Sequence, residues 1–150
     1  MPERVKCLLV IDDDDNVCQI VKEKFENLGY RVLTAPDGAE GLRKTVEEKP
    51  QCVLLDVRIP KGEDGVTYFR KLRSYRHEDP QEQARIRMTP VIILTGVGAT
   101  MQSFFELEQI SGFIEKPFDP DGSQGIRGFI EKPFDLTQLR LEVERVLRSS

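Results

Sequence analysis

Three apolar runs in this chain end on an oxygen-bearing side chain, and a further run ends on a lysine. VKCLLVI (5–11) runs into Asp12 and Asp13, CVLLD (52–56) ends on Asp56, and PVIILT (90–95) ends on Thr95. GFIEK ends on Lys116 and recurs, identical, ending on Lys132. Carboxylates brought within a few ångströms repel. Each unit-charge pair at ~4 Å costs about 4 kcal/mol at an effective dielectric near 20. Protonation or a bound cation relieves that cost. Oxygen ligands without His or Cys favour magnesium. A carboxylate beside such an ion can attack phosphorus and become an aspartyl phosphate, with hydroxyl and ammonium donors serving the phosphoryl oxygens. Asp is also favoured at helix N-termini by the helix dipole. That alone would explain an acidic cap at Asp12 and Asp13, but not a lone Asp56 closing a buried-type strand.

The elements that must bring these residues together are legible as alternating apolar runs and helix-period stripes. After the first run, NVCQIVKEKFENLG (16–29) places Val17, Ile20, Val21, Phe25 and Leu28 on one stripe, with Gly29 as a stop. YRVLTA (30–35) reads as a short strand. In 37–49, Ala39, Leu42 and Val46 mark a second helix, and in 65–75 Val66, Phe69 and Leu72 mark a third. Residues 100–109 suggest a fourth helix, GFIE a fifth strand, and 136–149 a last helix on Leu136, Leu139, Val143, Val146 and Leu147. Strands apolar on both faces and joined by helices predict an α/β fold, a parallel sheet covered on both sides. Right-handed crossovers make it a doubly wound three-layer sandwich. In such sheets ligands bind outside the carboxyl ends of the strands, which is where the five chemical residues fall.

The bulk properties narrow the function. A length of 150 residues predicts a single domain over 1–150. A net charge of −4 gives no reason to expect direct nucleic-acid binding, and the basic residues Arg70, Lys71, Arg73 and Arg76 read as a solvated helix face. No apolar run approaches the roughly 18 residues of a membrane span, and the start of the chain has no signal-peptide pattern. Cys7, Cys18 and Cys52 lack metal-site spacing and read as small thiols in a reducing, cytoplasmic setting. The single histidine, His77, lies in a polar stretch and is expected to be exposed.

Together these residues resemble the receiver domain of two-component response regulators. LLVIDDDDNV is similar to the family's first strand and acidic pair, VLLDVRIPKGEDG to its phosphoacceptor loop, VIILTG to its fourth strand, and GFIEKPFD to its fifth strand with the lysine–proline. The resemblance implies a flavodoxin-like fold with a five-stranded parallel sheet in the order 2-1-3-4-5. It implies phosphorylation of Asp56, with Mg2+ held by Asp13, Asp56 and the backbone carbonyl of Arg58, and by Asp12 through water. It implies that Thr95, with Gly96 beside it, and a lysine contact the phosphoryl group, and that Phe113 or Phe129 is the switch aromatic. The implied donor is a histidine kinase or a phosphotransfer protein. Output is expected through protein–protein contact unless the chain is excised from a longer protein. The loop from Asp56 to Asp64-Gly65 is one residue longer than the family's. A polar insert around 74–89 is expected to be a tolerated surface loop or helix extension.

Two other classes compete. Asp13, Asp15 and Val17 match the DxDx(T/V) spacing of haloacid-dehalogenase-type phosphatases, in which Asp13 would be the nucleophile. That reading leaves Asp56 without a role. A phosphorylation-independent binding module on a receiver scaffold is the third, although every acceptor-site residue type is present. The duplication of GFIEKPFD at 112–119 and 128–135 is too small to be a repeat architecture. Only one copy can fill the fifth-strand position. The spacing to Thr95 favours the first, and so Lys116 with Phe113, over Lys132 with Phe129. One place for the spare copy is an extra edge strand, in this chain or in a neighbour's, the latter giving a homodimer.

Overall fold

Every residue of the first strand is buried, as a central strand covered on both faces requires. A computed structural model describes residues 5–57, 63–95, 126–131 and 135–148. Its elements are β1 (Cys7–Ile11), α1 (Asp15–Asn27), β2 (Arg31–Ala35), α2 (Gly38–Glu48), β3 (Cys52–Val57), α3 (Glu63–Arg73), α4 (Pro80–Arg87), β4 (Val91–Thr95), β5 (Ile126–Glu131) and, numbered in chain order, α5 (Leu136–Arg148). The sheet is parallel throughout, in the order β2-β1-β3-β4-β5. Strand alternation divides the interior into two cores. Leu9, Ile11, Val53, Leu55, Val91 and Ile93 face Tyr68, Phe69, Leu72 and Ile86. Leu8, Val10, Leu54, Ile92, Leu94 and Ile130 face Cys18, Val21, Phe25, Leu139, Val143 and Val146. So α2, α3 and α4 cover one face of the sheet, and α1 and α5 the other.

Local chemistry sets the helix limits. Asp14 caps α1 by accepting from the N–H groups of Asn16 and Val17. The chain leaves α1 through Gly29 at φ 94°, a left-handed conformation that glycine adopts without a Cβ clash. The ring of Tyr30 then meets Phe25 edge-on at 5.1 Å. The stripe on α1 is rotated from expectation. Cys18 is buried with Val21 and Phe25, whereas Ile20 is 49% exposed.

The second helix differs more. Its buried positions are Gly38, Gly41 and Thr45, and Ala39 is exposed. The reason is close approach. A Cβ on Gly41 would stand 2.4 Å from Cδ1 of Ile11, so only glycine lets α2 sit this near the sheet. Thr45 is buried because its hydroxyl has two partners, the carbonyl oxygen of Gly41 at 2.7 Å and the hydroxyl of Tyr68 at 2.9 Å.

The polar insert is tied down rather than looped out. Asp79 caps α4 and Pro80 occupies its first turn. The helix buries Ile86 completely. Arg73, folded beneath, lies 4.5 Å over the Phe69 ring and donates to the carbonyls of Arg87 and Thr89. Burial pulls its pKa down to about 10, which leaves it charged at neutral pH. Arg85 reaches the Val46 carbonyl at 3.3 Å, and Glu82 pairs with Arg85 and Lys49, which ties α4 to α2.

The fifth strand corrects the choice between the two copies. β5 is Ile126–Glu131, which runs into the second copy at 128–135. Only Lys132 to Asp135 separate it from α5, and Asp135 caps that helix through a 2.7 Å bond from the N–H of Thr137. The segment adjoining the helix therefore closes the sheet with the shorter connection to α5. The first copy and the helix expected at 100–109 lie outside the described residues.

Candidate functional site

The carboxyl ends of β1 and β3 build the site. The pairing Ile11↔Leu55 sets the two strand ends level, so Asp12 and Asp56 leave the sheet side by side. The N–H of Asp12 donates to the Ala35 carbonyl at 3.0 Å, which extends the β1–β2 ladder by one residue. Its carboxylate accepts from the N–H of Asp14 at 2.9 Å, and the Cys18 thiol donates to its carbonyl oxygen at 3.3 Å. These contacts hold Asp12 at 3% exposure. Asp13 stands at the solvent rim and Asp56 is half-buried. Carboxylate oxygens of Asp12, Asp13 and Asp56 all lie within 4.8 Å of one another.

Thr95 closes β4 on the neighbouring strand. Asp56 pairs with Leu94 and Val57 with Thr95, one residue further along the same edge. On the next strand Thr95 pairs with Glu131, and Lys132 follows directly in the sequence. Phe129 pairs with Ile93 within β5. Arg58, Gly96, Phe113, Lys116 and Lys132 lie outside the described residues.

This donor set suits a hard divalent cation. Each of the three carboxylates offers an oxygen, and neither His nor Cys shares the cluster. At 4.8 Å, each pair of ionised carboxylates repels by roughly 3–4 kcal/mol at an effective dielectric near 20. Exposure at Asp13 leaves one side open to water, which magnesium retains when it binds proteins.

Two contributors were not singled out in sequence. Asp14 starts α1 and orients Asp12 through its N–H, and Cys18 packs beneath the Asp12 carbonyl. An Asp followed by a helical stripe signals a cap. Nothing in the sequence signals the thiol contact, because it depends on how α1 is rotated against the sheet. The rival spacing motif fares poorly here. Asp15 occupies the exposed first turn of α1 and is not one of the clustered carboxylates.

The sequence pattern described as "Response regulator receiver domain" matches residues 8–122. This chain belongs to the response regulator receiver domain family. Among curated relatives, it is 33% identical over 116 residues to the alkaline phosphatase synthesis transcriptional regulatory protein PhoP of Bacillus subtilis, which covers 77% of this chain and 44% of the relative. It is 31% identical over 113 residues to the DNA-binding dual master transcriptional regulator RpaA of a Synechocystis strain, which covers 75% of this chain and 43% of that protein. The receiver thus spans less than half the length of these relatives. Among solved structures, a putative response regulator from Chloroflexus aurantiacus superposes with a TM-score of 0.68 at 26% identity, over 97% of this chain and 99% of that one. A CheY-like receiver domain protein from Methanospirillum hungatei superposes with a TM-score of 0.70 at 22% identity, over 97% and 95%. Like them, this receiver has a flavodoxin-like fold on a parallel sheet. Among the described residues no helix is long and apolar enough to cross a membrane.

Proposed function

We propose that this receiver accepts a phosphoryl group on Asp56 and passes the change to a protein surface. The observation that carries the reading is the meeting of Asp12, Asp13 and Asp56 within 4.8 Å at the strand ends. Asp56 is the nucleophile because it follows the buried run Cys52–Leu55 near the carboxyl end of central strand β3 and keeps partial exposure. The donor is a phosphohistidine on a histidine kinase or phosphotransfer protein. Its phosphorus–nitrogen bond breaks as an Asp56 oxygen forms the new bond to phosphorus. Asp12, Asp13, Asp56 and the Arg58 carbonyl are the residues that would hold Mg2+, whose charge would offset both the carboxylates and the incoming phosphoryl oxygens. Thr95, at the adjacent strand end, and the lysine that follows strand five donate to those oxygens.

The added charge and acceptor oxygens then bias a two-state surface near the fifth strand and the last helix, with Phe129 as its aromatic member. Receivers of this type are not enzymes in the ordinary sense, since the group they accept is the signal itself. The curated relatives are transcriptional regulators, and the match covers less than half of each. We take the output partner to be a protein, either a domain continuing the same polypeptide or a separate chain. The test is phosphate uptake from a small phosphodonor with Mg2+ present. Asp56→Asn abolishes the label. Undiminished labelling of that variant, or label recovered on Asp13, contradicts the assignment.

A further inference from the structure

β2 is the outermost strand on its side of the sheet, and among the described residues no strand pairs with its far edge. Two bonds fix which of its backbone groups look outward. The N–H of Arg31 donates to the Lys6 carbonyl at 2.8 Å, and the N–H of Asp12 to the Ala35 carbonyl at 3.0 Å. With the register Cys7↔Arg31 through Ile11↔Ala35, the backbone groups of Arg31, Leu33 and Ala35 turn toward β1. Those of Val32 and Thr34 therefore turn away from the sheet. Lys44 reaches over from α2 and donates to the outward carbonyl of Thr34. Val32 packs with Cys18, Val21 and Phe25, so the side chains of Val32 and Thr34 lie on the α1 face. Beside this edge runs a groove of about 480 Å³, lined in part by Thr34 and by Asp15, Lys22, Glu23 and Glu26 of α1. Three exposed carboxylates stand there against one exposed ammonium.

We propose that the β2 edge and the α1 groove dock an extended, basic segment of a partner protein, which joins the five-stranded sheet as a further strand beside Val32 and Thr34. Main-chain bonds to the outward groups of Val32 and Thr34 hold the segment, and every second side chain falls on the α1 face. Lysine or arginine at those positions meets Asp15, Glu23 and Glu26. Charge selects this occupant over a second copy of the chain. Antiparallel pairing of β2 with the same strand of a second copy would set two acidic grooves side by side, and like charges oppose that contact. Lys44 acts as the gate. It covers the Thr34 carbonyl until a partner arrives, a device that blunts exposed edges, and it withdraws when the added strand supplies an N–H in its place. None of the clustered carboxylates Asp12, Asp13 and Asp56 lines the groove, so docking is independent of the role of Asp56.

The probe is a fluorescein-labelled peptide of about eight residues, alternating lysine and valine, titrated into the full chain and read by anisotropy. Binding is saturable and weakens as salt rises. Amide exchange followed by NMR slows at Val32 and Thr34 in the complex and stays unchanged at Leu33, which already belongs to the β1 ladder. Lys44→Met frees the Thr34 carbonyl and tightens binding about fivefold, the worth of one net hydrogen bond. Glu23→Lys/Glu26→Lys, at two exposed positions of α1, weakens binding about tenfold at low salt. The proposal is overturned if the peptide fails to bind at about millimolar concentration, or if a glutamate–valine peptide binds as tightly. It is overturned, in favour of charge attraction alone, if N-methylation of neither the lysine nor the valine amides weakens binding. Dimers of the chain that Lys44→Met strengthens and the peptide leaves intact overturn it in favour of a second copy.

Discussion

The buried hydroxyl pair between α2 and α3 makes an asymmetric prediction. Thr45 has one hydroxyl proton, and it goes to the Gly41 carbonyl at 2.7 Å. In the 2.9 Å contact with Tyr68, the tyrosine is therefore the donor and the threonine oxygen the acceptor. Tyr68→Phe removes a donor and leaves Thr45 still bonded to Gly41, so it costs one net hydrogen bond, about 0.5–1.5 kcal/mol. Thr45→Val is nearly isosteric but strands the hydroxyl of Tyr68, which is 1% exposed. A buried donor without an acceptor costs about 1–3 kcal/mol. The double variant Thr45→Val/Tyr68→Phe removes both polar groups and is less destabilised than Thr45→Val alone. Urea unfolding at unchanged m measures all three, and each kcal/mol corresponds to about 2–4 °C in Tm for a domain of this size. Two results refute the reasoning: Tyr68→Phe costing more than Thr45→Val, or single effects that add to within about 0.5 kcal/mol.

Other outcomes follow from the same geometry. Burial raises the Tyr68 pKa above the ordinary value of 10, so its contribution to stability is complete below pH 10 and declines as pH climbs toward the folded-state value. In pH-dependent urea titrations the wild type therefore loses stability above pH 10 more steeply than Tyr68→Phe. Asp13→Asn relieves repulsion within the carboxylate cluster, so without divalent cations its Tm rises by about 2–4 °C. Millimolar Mg2+ then stabilises the wild type by mass action and leaves the variant unmoved. Asp135→Ala removes the α5 cap and costs about 1 kcal/mol in urea unfolding.

Sequence alone determined the alternation of strands and helices, because short apolar runs and helix-period stripes are local patterns. It also placed Asp12, Asp13, Asp56 and Thr95 at strand ends, and the parallel sheet then puts them on one edge. What tertiary structure decided lies where two elements must fit. A helix stripe cannot show that Gly41 rather than Ala39 meets Ile11, since the closest approach belongs to the helix and the strand together. The insert at 74–89 looks polar in part because arginines anchor it: Arg85 reaches the Val46 carbonyl and Arg87 the Tyr75 carbonyl. Arg73, half-buried at the end of α3, donates to the carbonyls of Arg87 and Thr89, a role invisible in composition. Two identical GFIEKPFD segments carry identical local preferences, so no local pattern distinguishes them. Only closure of the chain around the sheet, with the short path through Lys132 to Asp135 from β5 to a capped α5, places the second beside β4.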